Sequence, residues 1–283
     1  MNKDTFLKSD SIIVFACGAK PNVTNPGGRD RVIEYAEKNL TQFQFLMAER
    51  FFSFFQNHDR IDLLSLENKL AEFSDCILII LESESTFAEL GAFTNSDELA
   101  KIALVINDIK HDKSDSFINL GPLAKINKIS NFRPVIQANM ESILTVIYEV
   151  QKRLEKIERK NNIRLDISTY EKFLACSRKA RTFLLLDLLA LFSPLRYSEL
   201  IEILHFIYGD HSIDINLEMG LLAAFGFVSK QDDYYFRTLG DSKLFFFFQG
   251  LNIIRFRSDI INCYFKLRKS RERLEILKGR TIH

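Results

Sequence analysis

Two apolar runs, "CILII" at 76–80 and "IALVIND" at 102–108, enclose the stretch "LESESTFAELGAF" from Leu81 to Phe93. An uninterrupted apolar run with no polar alternation describes a strand buried on both faces, as in a parallel sheet covered by helices. The same rhythm extends from Ser11 to about Asn161. "SIIVFAC", "QFQFLM" and "RPVIQA" are further strand candidates, and helices are expected near Arg29–Lys38, Ser65–Phe73, Thr86–Asn95 and Asp115–Asn127. Strands alternating with helices predict an α/β fold with a doubly wound, mostly parallel sheet.

A chain of 283 residues is long for one core, so two domains are expected, 1–161 and 162–283, with "NNIRLDIS" as the linker. Before it, Ile143, Ile147, Val150, Leu154 and Ile157 form the stripe of a longer helix over Glu141–Asn162, expected to pack within the chain. After it the strand rhythm stops. Thr182–Phe192 reads as a buried helix, too short for a membrane span and interrupted by Asp187. Two helices follow, Arg196–Phe206 and "DINLEMGLLAAF", then the strands "FVSK" and "YYFRT" across the polar turn "QDD", then a last helix from near Gly240. Helix, turn, helix and hairpin in that order resemble a winged-helix module. Its candidate recognition helix carries Asp214 and Glu218 and no Lys or Arg before Lys230, which suits phosphates poorly.

A formal net charge of +1 hides a basic tail: Arg255, Arg257, Lys266, Arg268, Lys269, Arg271 and Arg273, interleaved with Phe256, Tyr264 and Phe265. It suits a nucleic-acid backbone, or equally a solvated helix face. With 47% apolar and 27% charged residues the chain is globular, and its polar N-terminus shows no signal peptide, so a cytoplasmic protein without membrane attachment is expected. Cys17, Cys76, Cys176 and Cys263 form no CxxC pair and the five histidines are scattered, which suggests neither a disulfide framework nor a metal site.

Polar clusters follow three of the strands, where open α/β sheets bind ligands. "ACGAKPNVTNPGGRDR" places Cys17, Gly18, Arg29 and Arg31 in a loop leading to a helix, a weak phosphate-loop candidate or else a simple connection. "LMAER" places Glu49 near the same edge, where a first-turn acid is the plain alternative. In "LESESTFAELGAF", Thr86 and Glu89 fit a capping box. Glu82, Glu84 and Glu89 also fit carboxylates converging on a cleft, suited to a carbon that develops positive charge. A helix N-terminus would keep Glu89 ionised, so cap and nucleophile are compatible roles.

"DLLSLENKLAEFSDCILIILESESTFAELGAF" together with "SFINLGP" closely resembles the effector proteins of bacterial retrons that carry a nucleoside-deoxyribosyltransferase-like domain and a C-terminal winged-helix domain. The resemblance implies an N-glycosidase in which Glu89 acts at the anomeric carbon, Glu82 positions substrate or handles a proton, and Thr86 and Asn119 help bind it, Asn119 within its own subunit or across a subunit boundary. Where related proteins have a Gly-Ser/Thr pair, this chain has Ser85-Thr86, which puts Glu84 and Ser85 in doubt as site residues. It further implies NAD, or a nucleotide or nucleoside, as substrate rather than cofactor. The implied partners are the retron reverse transcriptase with its msDNA and non-coding RNA, in a homo-oligomer or larger complex that holds a toxin in check. A non-catalytic nucleotide-sensing module signalling through the second domain is the alternative.

Overall fold

The computed structural model describes residues 5–7, 12–19, 27–49, 67, 70–71, 73–111, 115–158, 163–209, 214–238, 244–248, 250–266 and 271–280. Contacts divide the chain into Ser11–Arg159 and a second unit formed by Met1–Asp10 with Lys160–His283. The first strand, β1 (Thr5–Leu7), therefore belongs with the C-terminal half rather than with the expected domain 1–161. The reason is pairing: β1 runs antiparallel between two short strands of that half.

The α/β unit runs β2 (Ile12–Cys17), α1 (Gly28–Asn39), β3 (Phe43–Leu46), β4 (Cys76–Ile80), α2 (Glu84–Asn95), α3 (Asp97–Lys101), β5 (Ala103–Asp108), α4 (Ala124–Ile129), β6 (Ile136–Ala138) and α5 (Ile147–Leu154). All strand pairs are parallel, in the order β3-β2-β4-β5-β6. The described residues of the expected helix at 65–73 are helical. Because β3 lies on one side of β2 and β4 on the other, the winding direction reverses between β2 and β4. A crevice opens at their carboxyl ends.

Side-chain alternation distributes the core between two faces. Val14, Ala16, Leu78, Ile80, Leu104 and Ile106 pack with Val32, Ile33 and Ala36 of α1 and with Ile143, Val150 and Leu154. On the opposite face Phe15 meets Phe93 of α2 edge to face, with ring centroids 6.1 Å apart. Cys17 shares the parity of Phe15 and so turns toward α2. Residue 82 shares the parity of Ile80 and so turns toward α1.

Two expected helices differ. The segment from Glu141 is a 3-10 stretch, Met140–Val146, with non-helical φ/ψ at Ser142, followed by the short α5 rather than one long helix. The expected helix 115–127 instead contains a π-helical turn, Asn119–Leu123, that accommodates Pro122 before α4. Proline lacks the N–H that a regular ladder needs.

The C-terminal unit contains β7 (Ile163–Leu165), α6 (Tyr170–Ala175), α7 (Arg178–Phe192), β8 (Leu195–Arg196), α8 (Tyr197–Tyr208), α9 (Asn216–Ala224), β9 (Val228–Gln231), β10 (Tyr234–Arg237), β11 (Phe246–Phe248), α10 (Ile253–Lys266) and α11 (Arg271–Arg280). The linker "NNIRLDIS" thus contains a strand, β7, bonded to β1. The last helix is expected from near Gly240, which lies outside the described residues; within its span Phe246–Phe248 form β11, which pairs with the other edge of β1, and helix α10 begins at Ile253. The hairpin β9–β10 turns at Asp232, whose φ of 52° is left-handed, and β8 completes its sheet. Among the described residues, no helix is long and apolar enough to cross a membrane.

Helix α7 is buried along nearly its whole length, including Asp187. The Asp187 carboxylate accepts hydrogen bonds from the Phe245 and Phe246 N–H groups at 3.0 and 2.7 Å and faces the buried Arg237 guanidinium at 4.0 Å. A charge in the middle of an apolar helix therefore anchors the approach to β11. Removing one partner of a buried pair leaves the other uncompensated. Asp187→Ala is expected to lower unfolding stability by about 3–5 kcal/mol in urea titration, whereas Glu202→Ala, on the exposed side of α8, stays within about 0.5 kcal/mol.

Candidate active site

Helix α2 starts on the turn after β4, and its first-turn chemistry differs from the expected Thr86/Glu89 cap. Ser83 occupies the N-cap: its N–H donates to Thr86 Oγ1 at 3.2 Å, and the Thr86 hydroxyl donates back to the Ser83 carbonyl at 2.7 Å. Thr86 is fully buried and spent on this cap, outside the pocket lining. Glu89 stands in the second turn, where no free backbone N–H needs it.

A pocket of about 190 Å³ lies at the crevice, lined by Phe15, Ala16, Cys17, Gly18, Arg29, Ala48, Glu49, Glu67, Ser85 and Glu89. Cys17, Gly18, Arg29, Glu49 and Glu89 are thus brought together as expected, and Ser85, which the resemblance puts in doubt, joins them. Arg29 is buried. Its guanidinium donates to Glu49 Oε1 at 2.8 Å and to Asp30 Oδ1 at 3.2 Å. Glu89 Oε2 and Glu49 Oε2 are buried with no hydrogen-bond partner.

Glu67 was not singled out in the sequence. It comes from the helical segment before β4, where by sequence it reads as an ordinary helical acid. Burial raises its pKa, and the Glu49 charge raises it further.

Three carboxylates facing a single guanidinium dominate the electrostatics. Burial pushes Glu89 up to about 7, with the Glu67 charge next; a hydrogen bond from the Cys17 thiol opposes the rise, Glu49 adds to it and Arg29 opposes it. The helix N-terminus does not hold Glu89 ionised as expected, because desolvation and like charge outweigh a dipole that fades beyond the first turn. Burial and the Glu89 charge keep the Cys17 thiol protonated, and therefore a donor.

Glu82 lies elsewhere. Its Oε2 accepts the Gly28 N–H at 2.6 Å and its Oε1 accepts the Ala19 and Arg29 N–H groups, both at 3.0 Å. The start of α1, where a phosphate-loop reading places a ligand anion, holds the protein's own carboxylate. Arg31 is also engaged, donating to the Met140 and Glu141 carbonyls at 2.6 and 2.8 Å. Asn119, on the π-helical turn, donates its amide to the His111 carbonyl at 2.7 Å and is not among the lining residues.

The basic tail divides. Arg255 and Lys266 are exposed on α10, and Arg257 is half-buried. Arg273 is stacked over Tyr234 and Tyr264, at 5.2 and 4.8 Å from the ring centroids, and is ion-paired to Glu199. Arg271 begins α11; Arg268 and Lys269 lie outside the described residues. Glu218 in α9 is buried and pairs with Arg181 at 3.7 Å, so α9 is largely a core helix.

The chain matches the family described as STM3845 retron effector protein over residues 26–230. It is 28% identical over 249 residues to the Escherichia coli "Retron Ec73 putative ribosyltransferase/DNA-binding protein", covering 79% of this chain and 76% of that relative. The similarly named Escherichia coli retron Ec86 protein is 28% identical over 180 residues, 58% of each chain.

The raised pKa of Glu89 has a stability consequence. In the unfolded chain this group ionises near 4.5, in the folded chain near 7. The stability that its protonated form confers is present below pH 4.5 and lost as pH rises from there to about 7. Glu89→Gln is expected to melt above wild type, the gap opening between pH 5 and 7 and then levelling at about 1–2 kcal/mol, discounted for partial exposure. Thermal scans across that range measure it.

Proposed function

Because the chain belongs to the STM3845 retron effector family, we propose that it is the effector of a retron antiphage system, its α/β unit cleaving the N-glycosidic bond of NAD or another nucleotide or nucleoside. Glu89 acts at the ribosyl anomeric carbon. The observation that carries this reading is the state of Glu89: a desolvated carboxylate without a full set of partners, at the switch point of the sheet, titrating near neutrality. Such a group is ionised often enough to attack and is not passivated by hydrogen bonds. The ribosyltransferase wording in the relatives' names supports chemistry at a ribosyl carbon.

The step balances with residues of the pocket. Glu89 forms an ester bond to the anomeric carbon as the C–N bond breaks and its electron pair leaves with the base. Glu67, whose pKa burial and the Glu49 charge raise, is the pocket carboxyl placed to supply a proton where the departing base requires one. A pyridinium base leaves neutral without it. Water then adds at the anomeric carbon as the ester bond to Glu89 breaks; the water's proton passes to the Glu67 carboxylate where that has been emptied, and for a pyridinium substrate it passes to the departing Glu89 carboxylate and on to solvent. Arg29, bound to Glu49, keeps one negative charge of the trio compensated. In cytoplasm the effector is held in check or activated by the reverse transcriptase with its msDNA and non-coding RNA, in a homo-oligomeric or larger complex. The DNA-binding wording of the relatives' names and the exposed Arg255 and Lys266 support that docking.

Chromatography of nicotinamide, free bases and ADP-ribose in cells expressing the chain, with and without its retron partners, tests the proposal. Wild type should release base and Glu89→Gln should lower release on the order of a hundredfold or more. The purified activity should rise with pH through about 7. Identical nucleotide pools in both strains during phage challenge, partners present, would overturn it. For the partner, Arg255→Glu with Lys266→Glu should weaken binding to the reverse transcriptase–msDNA complex and flatten its salt dependence. Arg273→Ala should instead lower the melting temperature, since its charge is committed to Glu199 and two tyrosine rings.

A further inference from the structure

We propose that Glu82 is a positioning residue, the internal anion that locks the β2–α1 connection and the first turn of α1 onto the end of β4, and thereby sets Cys17 and Arg29 around Glu89. The activity arm of its test rests on the function proposed above; the structural arm does not. Three backbone N–H groups converge on this one carboxylate, two of them at the start of a helix of twelve residues, where negative charge is favoured. All of these donors border the pocket: Ala19 follows the lining residues Cys17 and Gly18, and Arg29 is itself a lining residue.

Glycines make the approach possible. A Cβ on Gly28 would stand 2.8 Å from Glu82 Oε2 and 3.0 Å from Ile143 Cδ1; one on Gly18 would meet Arg29 Cβ at 2.4 Å and Glu82 Oε1 at 3.0 Å; one on Gly27 would stand 3.3 Å from Glu82 Oε1. Three glycines thus leave room for one side chain. Glu82 also directly precedes the Ser83–Thr86 cap that starts the helix carrying Glu89. One rigid turn therefore holds the clamp on its entry side and the reacting carboxylate on its exit side. Both Glu82 oxygens are engaged by backbone N–H groups and Glu82 is not among the lining residues, so it acts through Cys17 and Arg29 and not on the substrate.

Hydrogen exchange and peptide-resolved alkylation of the full chain test this, using Glu82→Gln, Gly28→Ala and, as control, the exposed Glu84→Gln. A Gln amide presents N–H to at least one backbone N–H, so Glu82→Gln should speed exchange of the Ala19, Gly28 and Arg29 amides and alkylation of Cys17 by about tenfold or more. Gly28→Ala, which helix propensity alone would favour, should do the same by displacing the carboxylate. Glu84→Gln should change neither. In cleavage assays both clamp variants should lose kcat on the order of tenfold to a hundredfold with a smaller change in KM, as expected for misplaced groups. Unchanged amide protection and Cys17 reactivity in both variants would overturn the proposal, and so would loss of cleavage in Glu82→Gln with protection intact, since Glu82 would then act on the substrate directly. Lost protection in a protein whose wild type cleaves no nucleotide would uphold the clamp and defeat the proposed function.

Discussion

Three N–H groups from the β2–α1 connection and the first turn of α1 end on the Glu82 carboxylate, and the geometry of the crevice depends on this contact. A doubly wound sheet leaves a gap at its switch point, where loops from both sides meet with unpaired backbone donors. Many proteins leave those donors for a ligand anion. Here the chain fills the gap from the inside, which organises the loop without a ligand but removes the helix terminus as a place for substrate phosphate. The ligand space is displaced toward the other face, where Cys17 and Glu89 look.

Two carboxylates seven positions apart in one segment, Glu82 and Glu89, therefore live in opposite environments. Glu82 is solvated by backbone dipoles. Glu89 receives a single thiol hydrogen bond and faces Glu67 and Glu49. Environments that differ in this way divide labour between two carboxylates, one committed to backbone hydrogen bonds and the other left with few partners. The cost is borne locally, since the poised group destabilises the folded chain above neutrality. That is the trade-off expected of a site assembled for reaction rather than for stability.

Much of the α/β unit was legible because a parallel sheet writes itself as near-continuous apolar runs; "CILII" became β4 and "IALVIND" spans β5. The position of Cys17, Arg29, Glu49 and Glu89 at strand ends followed from the same pattern. What was not legible depended on partners distant in sequence. Three-residue β1 is too short to show a period, and its place depends on bonds to residues near 164 and 247. Glu67 looked like any helical acid until the helix was packed. The Thr86-x-x-Glu89 string matched a cap, yet Ser83 takes the N-cap, so the helix begins three residues earlier than that match assumed.

The C-terminal unit makes a related point about charge. A string of arginines and lysines gives an upper limit on what a surface presents, since each cation is first available to its own fold. Arg273 is drawn between Tyr234 and Tyr264 and paired with Glu199, while Arg196, the cross-strand partner of Tyr234, lies 4.9 Å from the same Tyr234 ring. Both guanidiniums stabilise the packing of α11 and the hairpin sheet through aromatic faces. The acidic α9, which sequence alone could judge only by its charges, is excluded more strongly by burial: with Glu218, Met219, Leu221 and Leu222 inside, it has little side-chain surface to insert into a groove. Among the described residues, α10 presents exposed Arg255 and Lys266 beside exposed Ile254 and Phe265, groups suited to phosphates and unstacked bases rather than to the edges of paired ones.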